Sequence, residues 1–296
     1  MKAIKRNDTS CGRESSSVQR NQNGIENPKR NQPAIMKTLR NIAVQVVAIL
    51  VCLTVASALP QRSNSPTPRI AGGEEAADGQ FPFQVALINE GLVYCGGTVI
   101  NRRWILTAAA CITGKALSDV QLFVGSADRL EGGRNVTAER FVLHPDFDAV
   151  TYANDIALVR VAESLGFTGD QLQPIRLETE FFETATDATV SGWGRFAISN
   201  NQLPTRLQFI RTDIIDSEDC ADQFEEPYRS RISDRLICTS NQPDQGVCLG
   251  DAGGPLVLDG SLIGVQSWSI PCGTGLPDVY ERVSHHRAWI LAITLL

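Results

Sequence analysis

The sequence predicts an all-β fold for most of its 296 residues. Short apolar runs, from FPFQVALI to DVYERV, alternate with Gly, Pro, Asn and Asp, which indicates many short strands separated by turns. Asp259-Gly260 lies between two of these runs and favours a tight hairpin. Only Ser217–Phe224, with Ser217 as N-cap, and Val283–Leu296 favour a helix. Evenly spaced strands with so few helices are typical of a β-sandwich or a β-barrel.

Composition and charge exclude several classes of protein. Hydrophobic residues make up 43% and charged residues 20%, which excludes a disordered chain, a collagen-like repeat and a coiled coil. Residues 1–69 carry 11 basic and 3 acidic residues, whereas residues 70–296 carry 16 basic and 30 acidic residues, a net charge of −14. Phosphate contacts need Lys and Arg, so this acidic body predicts no nucleic-acid binding.

The beginning of the chain matches the pattern of a secretory signal peptide. From Met36 a short basic region precedes one long apolar run, which ends in the small-residue cleavage pattern Ala56-Ser57-Ala58. We therefore expect a polar basic extension over 1–35, a signal peptide over 36–58 and secretion to an extracellular location, without membrane attachment after cleavage. The alternative is a signal anchor, since the run of about 18 residues is long enough to span a bilayer. A Pro- and Ser-rich linker follows over 59–69.

If the chain is secreted, the cysteines of its body are expected to form disulfides. Of the eight cysteines, Cys11 and Cys52 precede the predicted cleavage point and six remain in the body. An even number in an oxidising compartment implies three disulfides, for which six cysteines allow 15 pairings.

Several ordered motifs of the body resemble the trypsin/chymotrypsin family of serine proteases. They are RIAGG at 69–73, WILTAAAC at 104–111, NDIALVRV at 154–161, SGWGR at 191–195, CLGDAGGPLV at 248–257 and PDVYERV at 277–283. The resemblance covers residues 70–296 and implies two six-stranded antiparallel β-barrels with a C-terminal helix. It also implies the pairing Cys95–Cys111, Cys220–Cys238 and Cys248–Cys272. The three-disulfide pattern and the PDVYERV ending resemble arthropod members.

Two positions depart from the family's catalytic pattern. The family uses a serine nucleophile, a histidine base and an aspartate that orients the histidine. The histidine is expected where this chain has Ala110, and the serine where it has Ala252; Asp155 alone remains. We take the alanines as natural, because an engineered protein would normally lack the leader. The resemblance places His144 on the surface of the first barrel, and His285 and His286 at the start of the terminal helix, on the back of the second barrel. None of the three is expected near Ala110.

The backbone and side chains around the two alanines are expected to keep the arrangement that the family resemblance implies. The backbone N–H groups of Gly250 and Ala252 should still form an oxyanion hole, because this needs no side chain. A carbonyl oxygen would then dock there without being attacked. Asp155 is expected to accept hydrogen bonds from backbone N–H groups and from Ser267, and burial should raise its pKa.

The resemblance also implies an activation switch. Cleavage after Arg69 by a trypsin-like protease would free the Ile70 ammonium group, which would pair with Asp251, as in a zymogen. The alternative is that the motif is inherited and that cleavage has no consequence.

A specificity pocket is implied at five positions: Gly246, Ser267, Trp268, Ser269 and Asp278. Gly246 at its base together with Asp278 resembles the broad-specificity collagenolytic branch, which would accept apolar or basic side chains. The alternative is that a local hydrogen bond neutralises Asp278 and that the pocket is vestigial.

No metal or cofactor is expected, because the cysteines are committed to disulfides and His285 and His286 are adjacent. Asn135-Val136-Thr137 is an N-glycosylation sequon on a predicted loop.

The sequence is compatible with three functions. The first is a secreted, inactive protease homologue that binds proteases, inhibitors or proenzymes in an immune or digestive cascade. The second is an active serine endopeptidase, against which Ala110 and Ala252 argue. The third is a structural or storage protein without a specific partner.

Overall fold

A computed structural model describes residues 73–167, 169–197, 202–270 and 272–295. The predictions for the extension, the signal peptide, the linker and the Arg69-Ile70 cleavage site lie outside these ranges. Within them, no helix has the length and apolar character needed to cross a membrane.

Short strands are the main regular structure of the described chain, as the alternation of apolar runs and turn residues predicts. In chain order, β1 to β14 are Glu74–Glu75, Gln84–Asn89, Leu92–Val99, Trp104–Thr107, Gln121–Val124, Arg134–Leu143, Ala157–Val161, Arg176–Leu177, Ala185–Gly192, Gln208–Ile215, Leu236–Ser240, Pro255–Leu258, Ser261–Ser269 and Asp278–Arg282.

The strands form two closed barrels. The first has the order β2-β3-β4-β7-β6-β5, and β5 pairs with β2 to close it. The second has the order β9-β10-β11-β14-β13-β12, closed by the pairing of β12 with β9. Strand β1 adds to β10, and β8 runs parallel to β13. The predicted fold of two six-stranded antiparallel barrels is confirmed.

The interiors are filled by the apolar residues that define the runs. In the first barrel Ile105, Leu106 and Leu158 are fully buried, and in the second Leu256 and Val265 are fully buried. Burial of each such side chain contributes about 2 kcal/mol to folding.

The Asp-Gly hairpin is confirmed between β12 and β13. Asp259 and Gly260 have φ values of 47° and 72°, and Leu258 pairs with Ser261 across the turn. Two successive residues with positive φ match the right-handed twist of the flanking strands.

Three α-helices occur in the described ranges: α1 Ala109–Ile112, α2 Ser217–Asp222 and α3 Val283–Thr294. The N-cap predicted at Ser217 is wrong. Asp216 caps α2, because its carboxylate accepts the backbone N–H of Asp219 at 2.8 Å. The C-terminal helix begins as predicted, whereas the single turn of α1 was not predicted. The described ranges also contain two 3₁₀ turns: Leu117–Asp119 and Arg229–Arg231.

The three disulfides join the cysteine pairs that the family resemblance implies: Cys95–Cys111, Cys220–Cys238 and Cys248–Cys272. The first ties β3 to α1, beside the place where the barrels meet. There the Gly96 N–H donates to the Ala252 carbonyl at 2.7 Å. A Cβ at Gly96 would lie 2.8 Å from the Gly254 Cα, so this approach between the barrels requires glycine.

The sequon is exposed but does not lie on a loop. Asn135 is the second residue of β6 and pairs with Phe123 of β5. The loop prediction fails because the alternating pattern RNVTAE continues the strand, and a polar side chain is accommodated on its solvent face.

Candidate active site

Asp155 joins the two barrels at the base of the cleft between them. It lies just before β7 and is fully buried. Its Oδ1 atom accepts the Ala110 N–H at 2.7 Å, and its Oδ2 atom accepts the Ser267 hydroxyl at 2.7 Å. Both kinds of hydrogen bond expected from the sequence are present. Because Ala110 belongs to α1 and Ser267 to β13, one carboxylate holds an element of each barrel.

Burial raises the pKa of Asp155 to about 7. The two hydrogen bonds lower the pKa but do not offset the cost of removing a carboxylate from water. The nearby Glu281 raises the pKa further. The site therefore holds a carboxyl group that changes its charge near neutral pH.

This pKa leads to a prediction for the variant Asp155→Asn. The folded-state pKa lies above the unfolded value of 3.8, so the free energy of unfolding falls as pH rises from about 4 to about 7. An amide keeps the Oδ1 acceptor, offers its N–H to Ser267 and does not ionise. Relative to the parent, Asp155→Asn should therefore gain stability between about pH 4.5 and pH 8, by at most about 4 kcal/mol.

Urea denaturation of both proteins across this range provides the test. Subtracting the two curves cancels the contributions of all other titrating groups. A stability difference that does not change with pH would contradict the raised pKa.

A buried carboxylate–histidine pair supports Asp155 from the second barrel, and sequence reasoning missed it. The Asp155 N–H donates to Glu281 Oε1 at 2.7 Å. Glu281 Oε2 lies 2.7 Å from His286 Nε2, and both side chains are almost fully buried. His286 lies near the start of the C-terminal helix, as expected, but its ring is buried and connects through Glu281 to Asp155. The signal available in the sequence was the glutamate of DVYER, five residues before a histidine.

The histidines of the chain gather at this pair. The ring of His144 lies 5.1 Å from that of His286, and the ring of His285 lies 4.9 Å from it. Burial and the neighbouring imidazoles lower the pKa of His144 and of His285. Among the described residues, no group of three His, Cys, Asp or Glu side chains is arranged to hold a metal ion.

A cavity of 340 Å³ occupies the cleft. Ala110, Gly250 and Ala252 line it together, although the last two are more than a hundred residues from Ala110 in sequence. The other lining residues are Tyr94, Cys95, Cys111, Tyr152, Cys248, Leu249, Gln266, Ser267, Trp268 and Ser269. The fold thus brings both alanines of the catalytic motifs to one accessible space.

Two backbone donors are available beside this cavity. Within the described ranges, neither the Gly250 N–H nor the Ala252 N–H donates a hydrogen bond to another backbone group. Gly250 has a φ of 108°, a conformation that L side chains rarely adopt. These two N–H groups are therefore free to bind a carbonyl oxygen or an anion in the cleft.

The comparisons with known proteins agree with this geometry. A family model described as Trypsin matches residues 70–290. The chain belongs to the trypsin family. It is 36% identical over 256 residues to Trypsin theta of Drosophila erecta, covering 83% of this chain and 97% of that protein. It is 33% identical over 245 residues to Trypsin II-P29 of Gallus gallus, covering 82% and 95%. Among solved structures, neuropsin, a serine protease of mouse brain, superposes with a TM-score of 0.68 at 27% identity, over 74% of this chain and 97% of that one.

In this trypsin-family chain, Asp251 already has partners within the described residues. Its Oδ1 accepts the Gly194 N–H at 2.7 Å, and its Oδ2 accepts the Cys248 N–H at 2.9 Å. The carboxylate is nearly fully buried, and burial raises its pKa to about 6. Ile70, the expected cationic partner, lies outside the described residues.

The residues predicted for the trypsin-family specificity pocket fall into two groups. Ser267, Trp268 and Ser269 line the cleft cavity. Gly246 and Asp278 lie side by side, because a Cβ at Gly246 would be 3.1 Å from Asp278 Oδ2. Asp278 is almost fully buried, and its Oδ2 accepts the Val247 N–H at 2.9 Å. Burial raises its pKa to about 7. The local hydrogen bond expected in the alternative is present, and the specificity that Asp278 would give the pocket stays a prediction.

Proposed function

We propose that this trypsin-family protein binds polypeptides in its cleft without hydrolysing them. The observation that carries the proposal is the cleft cavity, where the methyl groups of Ala110 and Ala252 line the wall beside two free backbone donors. A family member needs an imidazole and a hydroxyl at these positions for nucleophilic attack. Loss of the triad costs about 10⁶-fold in turnover, while binding and the oxyanion hole remain.

Active serine endopeptidase remains the second candidate, because the curated relatives are named as trypsins. The described cleft contains one hydroxyl–carboxylate pair that this candidate would have to use. The Ser267 hydroxyl donates to Asp155, whose pKa of about 7 suits a general base. However, Ser267 is only 5% exposed, so its hydroxyl is poorly placed to attack a carbonyl carbon.

The partners that fit this proposal are extracellular proteins with an extended segment, such as protease inhibitors, proteases or proenzymes. A segment of this kind presents a carbonyl oxygen to the donors of Gly250 and Ala252. We further propose secretion through the leader and cleavage after Arg69 by a trypsin-like protease, which follow from the sequence pattern.

The test uses the secreted protein in forms cleaved and uncleaved at Arg69. We expect no labelling by a serine-directed fluorophosphonate probe and no turnover of a broad peptide-substrate library. We also expect a reactive-loop polypeptide inhibitor of trypsins to bind, as measured by calorimetry. Labelling that persists after purification and disappears in Ser267→Ala would instead establish the endopeptidase. Absence of both labelling and inhibitor binding would refute the binding role.

A further inference from the structure

A second cavity opens beside the cleft. It has a volume of 310 Å³ and lies between residues 151–154, just before β7, and the segment 227–236 that includes the Arg229–Arg231 turn. Tyr152 and Trp268 line both this side pocket and the cleft cavity. A polypeptide segment in the cleft would therefore place one of its neighbouring side chains at the side pocket.

The side pocket is lined by two arginines, Arg231 and Arg235. Within the described ranges, no carboxylate oxygen lies within the 4.0 Å ion-pair distance of either guanidinium group. Arg229, which is not part of the pocket wall, has such a partner in Asp222. Among the described residues, neither guanidinium group therefore forms an ion pair within 4.0 Å. Arg231 is nevertheless near enough to the exposed Asp148 to contribute, after hydrogen bonds from Val150 and Thr151, to lowering its pKa.

Aromatic packing holds one of these guanidinium groups in place. The Arg231 guanidinium carbon lies 5.1 Å from the centre of the Tyr228 ring. The Tyr228 ring in turn lies 5.7 Å from that of Trp268, a wall of both cavities. A guanidinium group fixed in this way loses less entropy when it binds an anion.

The carboxylate that lines this pocket has no free oxygen with which to pair with the two arginines. Glu281 lines the pocket, but one of its oxygens accepts the Asp155 N–H and the other pairs with His286. The remaining polar groups include the hydroxyl of Ser233, which can donate a hydrogen bond, and that of Ser230, which donates to the Pro227 carbonyl at 3.2 Å. A ligand that accepts hydrogen bonds and carries negative charge therefore fits this pocket better than a cationic one.

We propose that the side pocket selects an acidic side chain, Asp or Glu, in the polypeptide segment that occupies the cleft. This inference rests on the proposed binding function and specifies the class of segment bound. Arg231 and Arg235 are its specificity-determining residues, because a carboxylate can accept paired N–H donors from a guanidinium fork.

The experiment uses the secreted protein cleaved after Arg69. It is probed with an array of short synthetic peptides, in each of which one position is fixed as Glu, Gln, Lys or Leu. At one position we expect Glu to bind about tenfold more tightly than Gln. This preference should weaken as salt concentration rises. It should be lost in Arg231→Gln/Arg235→Gln, whereas Arg229→Gln, the control for an arginine outside the pocket, should retain it. Circular dichroism and thermal unfolding confirm that the variants are folded.

The possible outcomes test the acidic preference of the side pocket separately from the proposed binding of polypeptides in the cleft. Peptides that bind equally well with Glu and Gln at every position would overturn the inference and leave the binding function intact. A Glu preference that survives in the double variant would also overturn the assignment to Arg231 and Arg235. An array without any bound peptide would refute both.

Discussion

Replacing Ala110 by His and Ala252 by Ser together should convert the protein into a measurable endopeptidase. Asp155 already stands with Oδ1 at the Ala110 N–H, and the cleft cavity borders both alanines. An imidazole at position 110 would therefore find an orienting carboxylate, and a hydroxyl at 252 would find free backbone donors for the oxyanion. We expect peptide hydrolysis to rise by at least about 10³-fold over the parent after cleavage at Arg69.

The single variants provide the controls for this restoration. Ala110→His alone lacks a nucleophile and Ala252→Ser alone lacks a base, so both should remain at the parent's rate. Adding Asp155→Asn to the restored protein should return its rate close to that of the parent, because the histidine loses its orientation and tautomer. Full activity in Ala252→Ser alone would show that a base other than an introduced histidine acts in the cleft.

A single methyl group at Gly194 should severely destabilise the second barrel. A Cβ at this position would collide with the Asp251 carboxylate, which is buried and accepts the Gly194 N–H. The carboxylate would have to move, and the buried charge would lose a hydrogen bond. We expect Gly194→Ala to lower the free energy of unfolding by about 3 kcal/mol, measured by urea denaturation.

Gly166→Ala is the matched control, because nothing lies within 4 Å of a Cβ at that exposed glycine. Its stability should stay within about 0.5 kcal/mol of the parent. If both variants unfold at the same urea concentration, the close packing of Asp251 against Gly194 would be refuted. Binding of the inhibitor should decline only in Gly194→Ala, since Gly250 packs on the Gly194 backbone.

The sequence predicts those parts of the structure that depend on local pattern. The Asp259-Gly260 hairpin follows from turn chemistry, and the C-terminal helix is expected over Val283–Leu296. The barrel pairing and the disulfides follow from motifs, because matching motifs imply a shared fold. Asp155 could be placed at its hydrogen-bond partners for the same reason.

The remaining features depend on contacts between distant segments. Glu281 and His286 are five residues apart in sequence, yet their pairing matters because Asp155 arrives from the other barrel. Nothing local indicates that the Asp278 carboxylate accepts the N–H of Val247, which is 31 residues away in sequence. The side pocket arises only where residues before β7 meet a segment about 80 residues later.

The free donors at Gly250 and Ala252 belong to the main chain, so they do not depend on which side chains the cleft carries. A site encoded by backbone conformation persists through any set of substitutions that preserves the fold. Its recognition of an extended carbonyl can therefore outlast the loss of a nucleophile. In a mixture with active relatives, such a protein would compete for the same reactive-loop inhibitors and lower their free concentration. Its abundance would then set how much inhibitor remains to restrain the active enzymes.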